Sequence, residues 1–254
     1  MSLKHAFVSA KSDGGDATLV RPSDWNEFHS LIDIRQRPFF FTDFLGKAGA
    51  ATVEAHQEWD YVAISSGTQA KIAGEPNHPG ILRISSSTTA NSGGYCKMEA
   101  TGIRISGGEI FEIIFQHKVA SGTNTTIRMG FTDTTNSSDA TDGVYVEIPA
   151  GSLGLVGKTA NNGTRSTTSS SYTISINTWY RAKIVINSDA TRADFYLYND
   201  SGTQLWTDYL TTNIPTGSGR ETGAGLVATN SGTTATLLAY FDWMAVWFER
   251  TLTR

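Results

Sequence analysis

The chain has 254 residues, with 24 acidic against 20 basic side chains and a net charge of −4, which excludes a basic protein that coats nucleic acid. Charged residues are 17% and aromatics 11%, the balance of a folded domain rather than a disordered one. Thr (33) and Ser (25) supply nearly a quarter of the chain, a strand-and-turn composition poor in helix formers.

The first 37 residues differ from the rest. Lys11 to Asp16 is turn chemistry, and Ser23 is placed to cap a short helix over 24–34. Trp25, Phe28, Leu31 and Ile32 fall near one face of that helix, a large apolar face for so short an element. Two readings stay open: the face packs on its own domain, or it docks on a neighbouring subunit or larger assembly. The expected organisation is an attachment segment over 1–37, with those four side chains as its assembly contact, and a domain over 38–254.

From Arg37 onward the pattern is strands and turns. Phe39 to Phe41, Trp59 to Ile64, Gly80 to Ser85 and Tyr95 to Glu99 come first. Glu109 to Lys118 puts Phe111, Ile113 and Phe115 on one face, with Ile110, Glu112, Ile114 and Gln116 opposite. Ile127, Met129 and Phe131 share a face against Arg128 and Gly130. Val144 to Ile148, Leu153 to Gly157 and Tyr172 to Ile176 follow. Trp179 to Asn187 sets Tyr180, Ala182, Ile184 and Ile186 against Arg181, Lys183 and Asn187. Phe195 and Leu197 alternate with Asp194, Tyr196 and Tyr198. Gly225 to Thr229 and Leu237 to Phe248 close the series, and the last is apolar on both faces, as a central strand is. About a dozen short strands without intervening helices predict antiparallel sheets in a sandwich or barrel.

Cys96 stands alone, so neither an intrachain disulfide nor a cysteine zinc site is expected. No apolar run near the start has signal-peptide length, and none reaches the length of a membrane span, so export by a classical signal and membrane insertion are not expected. Gly157-Lys158-Thr159 imitates a phosphate loop, but the first Gly is misplaced and a turn follows where a helix is needed. Gly223-Ala224-Gly225 imitates a dinucleotide fingerprint, but leads into a strand. The five histidines (His5, His29, His56, His78 and His117) have no metal-ligand spacing. Asp133, Asn136, Asp139 and Asp142 make an oxygen-rich loop that calcium could occupy, although its spacing is not that of an EF-hand; no other cofactor is expected.

Glu109 and Glu112 lie on opposite faces of one strand and do not make a glycosidase pair. Asp242, within the last apolar strand, is the carboxylate most open to perturbation; receipt of hydrogen bonds is the plainer account of it. Tyr196, Tyr198, Trp206 and Tyr209 lie off the obvious core face. Sugar rings stack on such side chains through their C–H faces, which makes these four the candidate ligand-binding residues. The alternative is that they cover the sheet's second face or a subunit contact.

Two stretches carry a resemblance. His5-Ala6-Phe7, the run Lys11 to Asn26 and His29 resemble the N-terminal segment of phage structural and tail-associated proteins. Asp43-Phe44-Leu45-Gly46, Asn77-His78-Pro79-Gly80, Arg128-Met129-Gly130-Phe131, Thr178-Trp179-Tyr180, Asn213-Ile214-Pro215 and Phe241-Asp242-Trp243, in that order, are similar to concanavalin-A-like jelly-roll domains of phage and prophage virion proteins. The resemblance implies a two-sheet antiparallel jelly roll and a virion location, in a tail fibre, spike or head decoration. It implies attachment to other virion proteins through the N-terminal segment, a homotrimer, and binding of a cell-surface glycan, with no transferable catalytic residue. A polysaccharide-degrading spike domain and a structural decoration protein without ligand are the rival readings.

Overall fold

The computed structural model describes residues 2–3, 29–30, 38–44, 59–119, 124–234 and 236–249. The chain divides into two units, of which Phe39–Glu249 is the larger. In the other, β1 (Ser2–Leu3) and β2 (His29–Ser30) pair as a two-stranded antiparallel ribbon. The helix expected over 24–34 is therefore corrected at His29 and Ser30, which are extended. A helix that short gains little by itself, and pairing with Ser2–Leu3 satisfies backbone groups instead. Trp25, Phe28, Leu31 and Ile32 lie outside the described residues.

The larger unit is all-β, with two antiparallel sheets in a sandwich. The first sheet runs β4 (Asp60–Ile64), β7 (Ser92–Ile103), β17 (Thr222–Asn230), β9 (Thr125–Thr132), β10 (Gly143–Ile148), β11 (Gly154–Asn161) and β12 (Thr164–Thr167), with β13 (Tyr172–Thr173) also paired to β11. The second runs β5 (Thr68–Glu75), β6 (His78–Ser85), β18 (Leu237–Phe248), β8 (Glu109–His117), β14 (Trp179–Ile186), β15 (Ala193–Asn199) and β16 (Gln204–Leu210), with β3 (Phe39–Thr42) also paired to β18. Among the described residues there is no α-helix, and so none long and apolar enough to cross a membrane.

The alternation read from sequence sets the core. Phe111, Ile113, Phe115, Ala182, Ile184, Phe195 and Leu197 of the second sheet are fully buried with Ile127, Met129, Phe131, Val144, Val146 and Ile148 of the first. Each such large side chain contributes about 1.5–3 kcal/mol relative to an exposed one. β18 lies inside the second sheet between β6 and β8, as its two-sided apolarity predicts. Gly157-Lys158-Thr159 sits in the middle of β11 rather than at a phosphate-binding turn.

Candidate functional site

In β14 and β15 every second residue faces away from the core. Register then builds a surface from single residue types: Lys183 stands opposite Tyr196, Arg181 opposite Tyr198, and Tyr209 of β16 opposite Asp194. Tyr196 and Tyr198 are half-buried, and their rings stack 6.3 Å apart at 22°. The Arg181 guanidinium lies 4.4 Å over the Tyr198 ring, and its Nη1 donates to Glu112 Oε1 at 2.6 Å. Arg192 repeats the device, lying 4.0 Å over the Tyr209 ring while donating to Asp194 Oδ1. Burial, then the Asp194 and Tyr198 charges, push the Tyr196 phenol up. Guanidiniums hold two of the rings, those of Tyr198 and Tyr209.

Three of the four candidate aromatics share this face; Trp206 does not. It is buried in the core opposite Leu197, and its indole N–H donates to Ser170 Oγ at 2.9 Å. Alternation along β16 accounts for this: Trp206 and Tyr209 are three positions apart and so face opposite sides of the sheet.

Asp242 is buried where the pairing of β18 with β8 shifts register. His78 Nδ1 donates to its Oδ2 at 2.9 Å, and the Gly80 N–H donates as well. Burial pushes its carboxyl up, against the pull of the His78 hydrogen bond and charge. The His78 ring stacks on Trp179 at 4.0 Å, and the Trp179 indole donates to Glu75 Oε2 at 3.0 Å. Sequence spacing dismissed His78, because its partner is 164 positions away.

The loop of Asp133, Asn136, Asp139 and Asp142 does not converge on a cation position. Asp139 accepts from Lys158 Nζ at 2.8 Å, Tyr145 Oη at 2.7 Å and Arg128 Nε at 3.1 Å. Glu147 accepts from Arg128 and Lys158 as well. Burial pushes the Asp139 carboxyl up, but the Lys158 and Tyr145 hydrogen bonds and the Arg128 charge outweigh it and hold it at about 2. Asp142 instead meets Asn162 N and Arg220, Asp133 meets Thr141 N, and Asn136 meets Ser138 N. The protein's own ammonium and guanidinium groups stand where the calcium reading put an ion. Among the described residues no group of His, Cys, Asp or Glu is placed to hold a metal ion.

A family model described as SO2946-like, C-terminal domain matches residues 77–242. The chain belongs to this family. The matched span of the SO2946-like domain contains His78, the tyrosine face and Asp242. A protein of unknown function, SO2946 from Shewanella oneidensis MR-1, shares the fold at a TM-score of 0.71 and 22% identity, over 85% of this chain and 88% of that one. Peanut lectin matches at a TM-score of 0.56 and 12% identity, over 85% and 99%. The CBM2 module of an evolved Dit from Lactobacillus casei BL23 phage J-1 matches at 0.52 and 11%, over 84% and 96%. At these identities the likeness is one of fold. No curated protein sequence matches the chain.

Proposed function

We propose that this SO2946-like domain is a non-catalytic glycan-binding module of a bacteriophage virion protein, in a tail fibre, spike or head decoration. The observation that carries the binding reading is the stacked pair Tyr196 and Tyr198, held by Arg181 on the face of the second sheet turned away from the core. Two rings at 22° make a platform for the C–H face of a sugar, and Arg181, Lys183 and Thr207 beside them offer polar partners. The acids near this platform are occupied: Glu112 by Arg181 and Asp194 by Arg192. Neither member of a hydrolytic carboxyl pair is available among them.

The virion reading is supported by the phage-like N-terminal stretch and by the fold shared with a phage Dit module. Attachment to other virion proteins through 1–37 and a homotrimeric assembly belong to the same reading. A trimer multiplies a weak single-site affinity. The test is to titrate the full chain with polysaccharide from the surface of the bacterial host and to follow tryptophan and tyrosine fluorescence and reducing ends together. Saturable binding without new reducing ends is expected, at least about tenfold weaker in Tyr196→Ala. Sustained cleavage, or binding indifferent to that substitution, overturns the reading. Immunogold labelling of intact particles tests the virion location.

A further inference from the structure

Register places Lys183 of β14 in one cross-strand row, between Glu112 of β8 and Tyr196 of β15. Arg181 and Tyr198 oppose each other in the row on one side of it, and Val185 and Asp194 in the row on the other. Lys183 is half-buried, and the acids around it are engaged elsewhere. Glu112 accepts from Arg181 and Asp194 from Arg192, each at 2.6 Å, and Asp200, two positions beyond Tyr198, lies 3.5 Å from His78. Among the described residues no acid pairs with Lys183. Around the tyrosines, Arg181, Lys183 and Arg192 thus stand against Glu112 and Asp194, one positive charge in excess in a chain of net charge −4.

The charged groups open beside the rings are donors. The Lys183 ammonium has three N–H groups and no acceptor. Arg181 uses Nη1 alone toward Glu112 and is 35% exposed, which leaves it further N–H groups for a ligand. An occupant that satisfies them brings acceptors, and one that also brings negative charge makes the stronger, charge-assisted bonds. Position decides the anion. Directly opposed residues on neighbouring antiparallel strands have Cβ atoms about 4.5–5.5 Å apart, so the Lys183 ammonium reaches the rim of a sugar stacked on Tyr196. One monosaccharide then meets both side chains. The carboxylate of a uronic acid is bonded to the sugar ring itself, whereas a phosphodiester lies between sugars.

Resting on the glycan-platform reading above, we propose that the site takes acidic polysaccharides and that Lys183 is the residue that selects them. A uronic acid stacks on Tyr196, and its carboxylate is received by Lys183 and by the open N–H groups of Arg181. The planar carboxylate matches the guanidinium edge, and the ammonium supplies the unmatched charge.

The experiment titrates the full chain calorimetrically with the tetramers of galacturonic, glucuronic and mannuronic acid, each beside its methyl ester. Esterification removes the charge and keeps the sugar. At least one acid should bind saturably, and at least about tenfold tighter than its ester, the worth of one charge-assisted contact. Lys183→Met keeps the apolar stem and should bring that ratio within about threefold. The ratio is taken within one chain, so a partly unfolded variant does not imitate its loss. Equal binding of acid and ester, or a ratio that survives Lys183→Met, overturns the inference and leaves the platform standing where Tyr196→Ala still weakens binding. Failure of all three acids, while the host polysaccharide binds through Tyr196, also overturns the inference alone. Failure of the acids and the host polysaccharide together overturns both.

Discussion

Gly157 of the first sheet lies flat beneath the ring of Phe195 of the second: a Cβ at position 157 would come within 2.5 Å of Phe195 Cδ2. The absent side chain is what lets a full aromatic ring enter the space between the sheets. Phe195 is fully buried, so its ring has no free space into which to retreat. Gly157→Ala should cost about 1–3 kcal/mol through forced repacking. Urea unfolding followed by tryptophan fluorescence should show a lower midpoint, partly restored by Phe195→Leu in the same chain. An unchanged midpoint would mean that the sheets slide apart at no cost.

Lys97 gives the fold a pH dependence in the alkaline direction. It is 1% exposed, and its ammonium donates to the Thr132 carbonyl and hydroxyl and to the Thr134 carbonyl. Burial pulls the group down from 10.5 to about 7, against the Asp133 charge. Between those values the unfolded chain holds a proton that the folded chain has released, so stability rises as pH climbs above about 7. Burial pushes Tyr61, Cys96 and Tyr145 up, and they act in the opposite sense once the unfolded thiol and phenols ionise, above about pH 9. The window for Lys97 is therefore about pH 7 to 8.5. The unfolding free energy should increase across it in the native chain and run flat in Lys97→Met.

His117 acts in acid. Its Nδ1 accepts the Val119 N–H at 3.0 Å, and burial pulls the imidazole down from 6.5 to about 4. The unfolded chain protonates first, so this stability is complete above 6.5 and is lost as pH falls to about 4. A shift of that size corresponds to roughly 3 kcal/mol. Asp139, held at about 2, yields its share only below 3.8. Thermal midpoints taken from pH 7 to 3 should fall in two stages, and His117→Gln should remove the first. A first stage that survives in the variant would place it on another group.

The strand faces were legible because burial on one side imposes a period of two. Phe111, Ile113 and Phe115 could be assigned to the core without coordinates, and the unbroken apolarity of Leu237 to Phe248 placed that strand inside a sheet. Trp206 was misread because Gln204 to Leu210 was not read as a strand; alternation along it sends Trp206 and Tyr209, three apart, to opposite faces. His78 with Asp242 and Arg128 with Asp139 are products of topology, since no local spacing brings such residues together. The oxygen-rich loop read as an ion site for the same reason: its cations, Arg128, Lys158 and Arg165, arrive from three other strands. His29 and Ser30 escaped the helix through a partner near the chain start, Ser2–Leu3, which a local window does not contain.

Arg181 ties the stability of the second sheet to its proposed binding face. It serves Glu112, 7% exposed, through one hydrogen bond and Tyr198 through its flat guanidinium face. Arg181→Leu leaves the Glu112 carboxylate without that partner, at a cost of about 1–3 kcal/mol. It also releases the Tyr198 ring from one side, so glycan binding should fall even at temperatures where the variant is fully folded. Arg181→Lys separates the two roles. An ammonium can still meet Glu112 but does not stack as a planar fork does, so stability should recover more than binding. Tyr198→Phe keeps the ring and the stack, and should bind within about threefold of the native chain. Calorimetric titration with the host polysaccharide, beside urea unfolding of the same samples, reads both quantities. If Arg181→Lys restores stability and binding equally, the guanidinium does not organise the tyrosines, and their placement comes from the sheet alone.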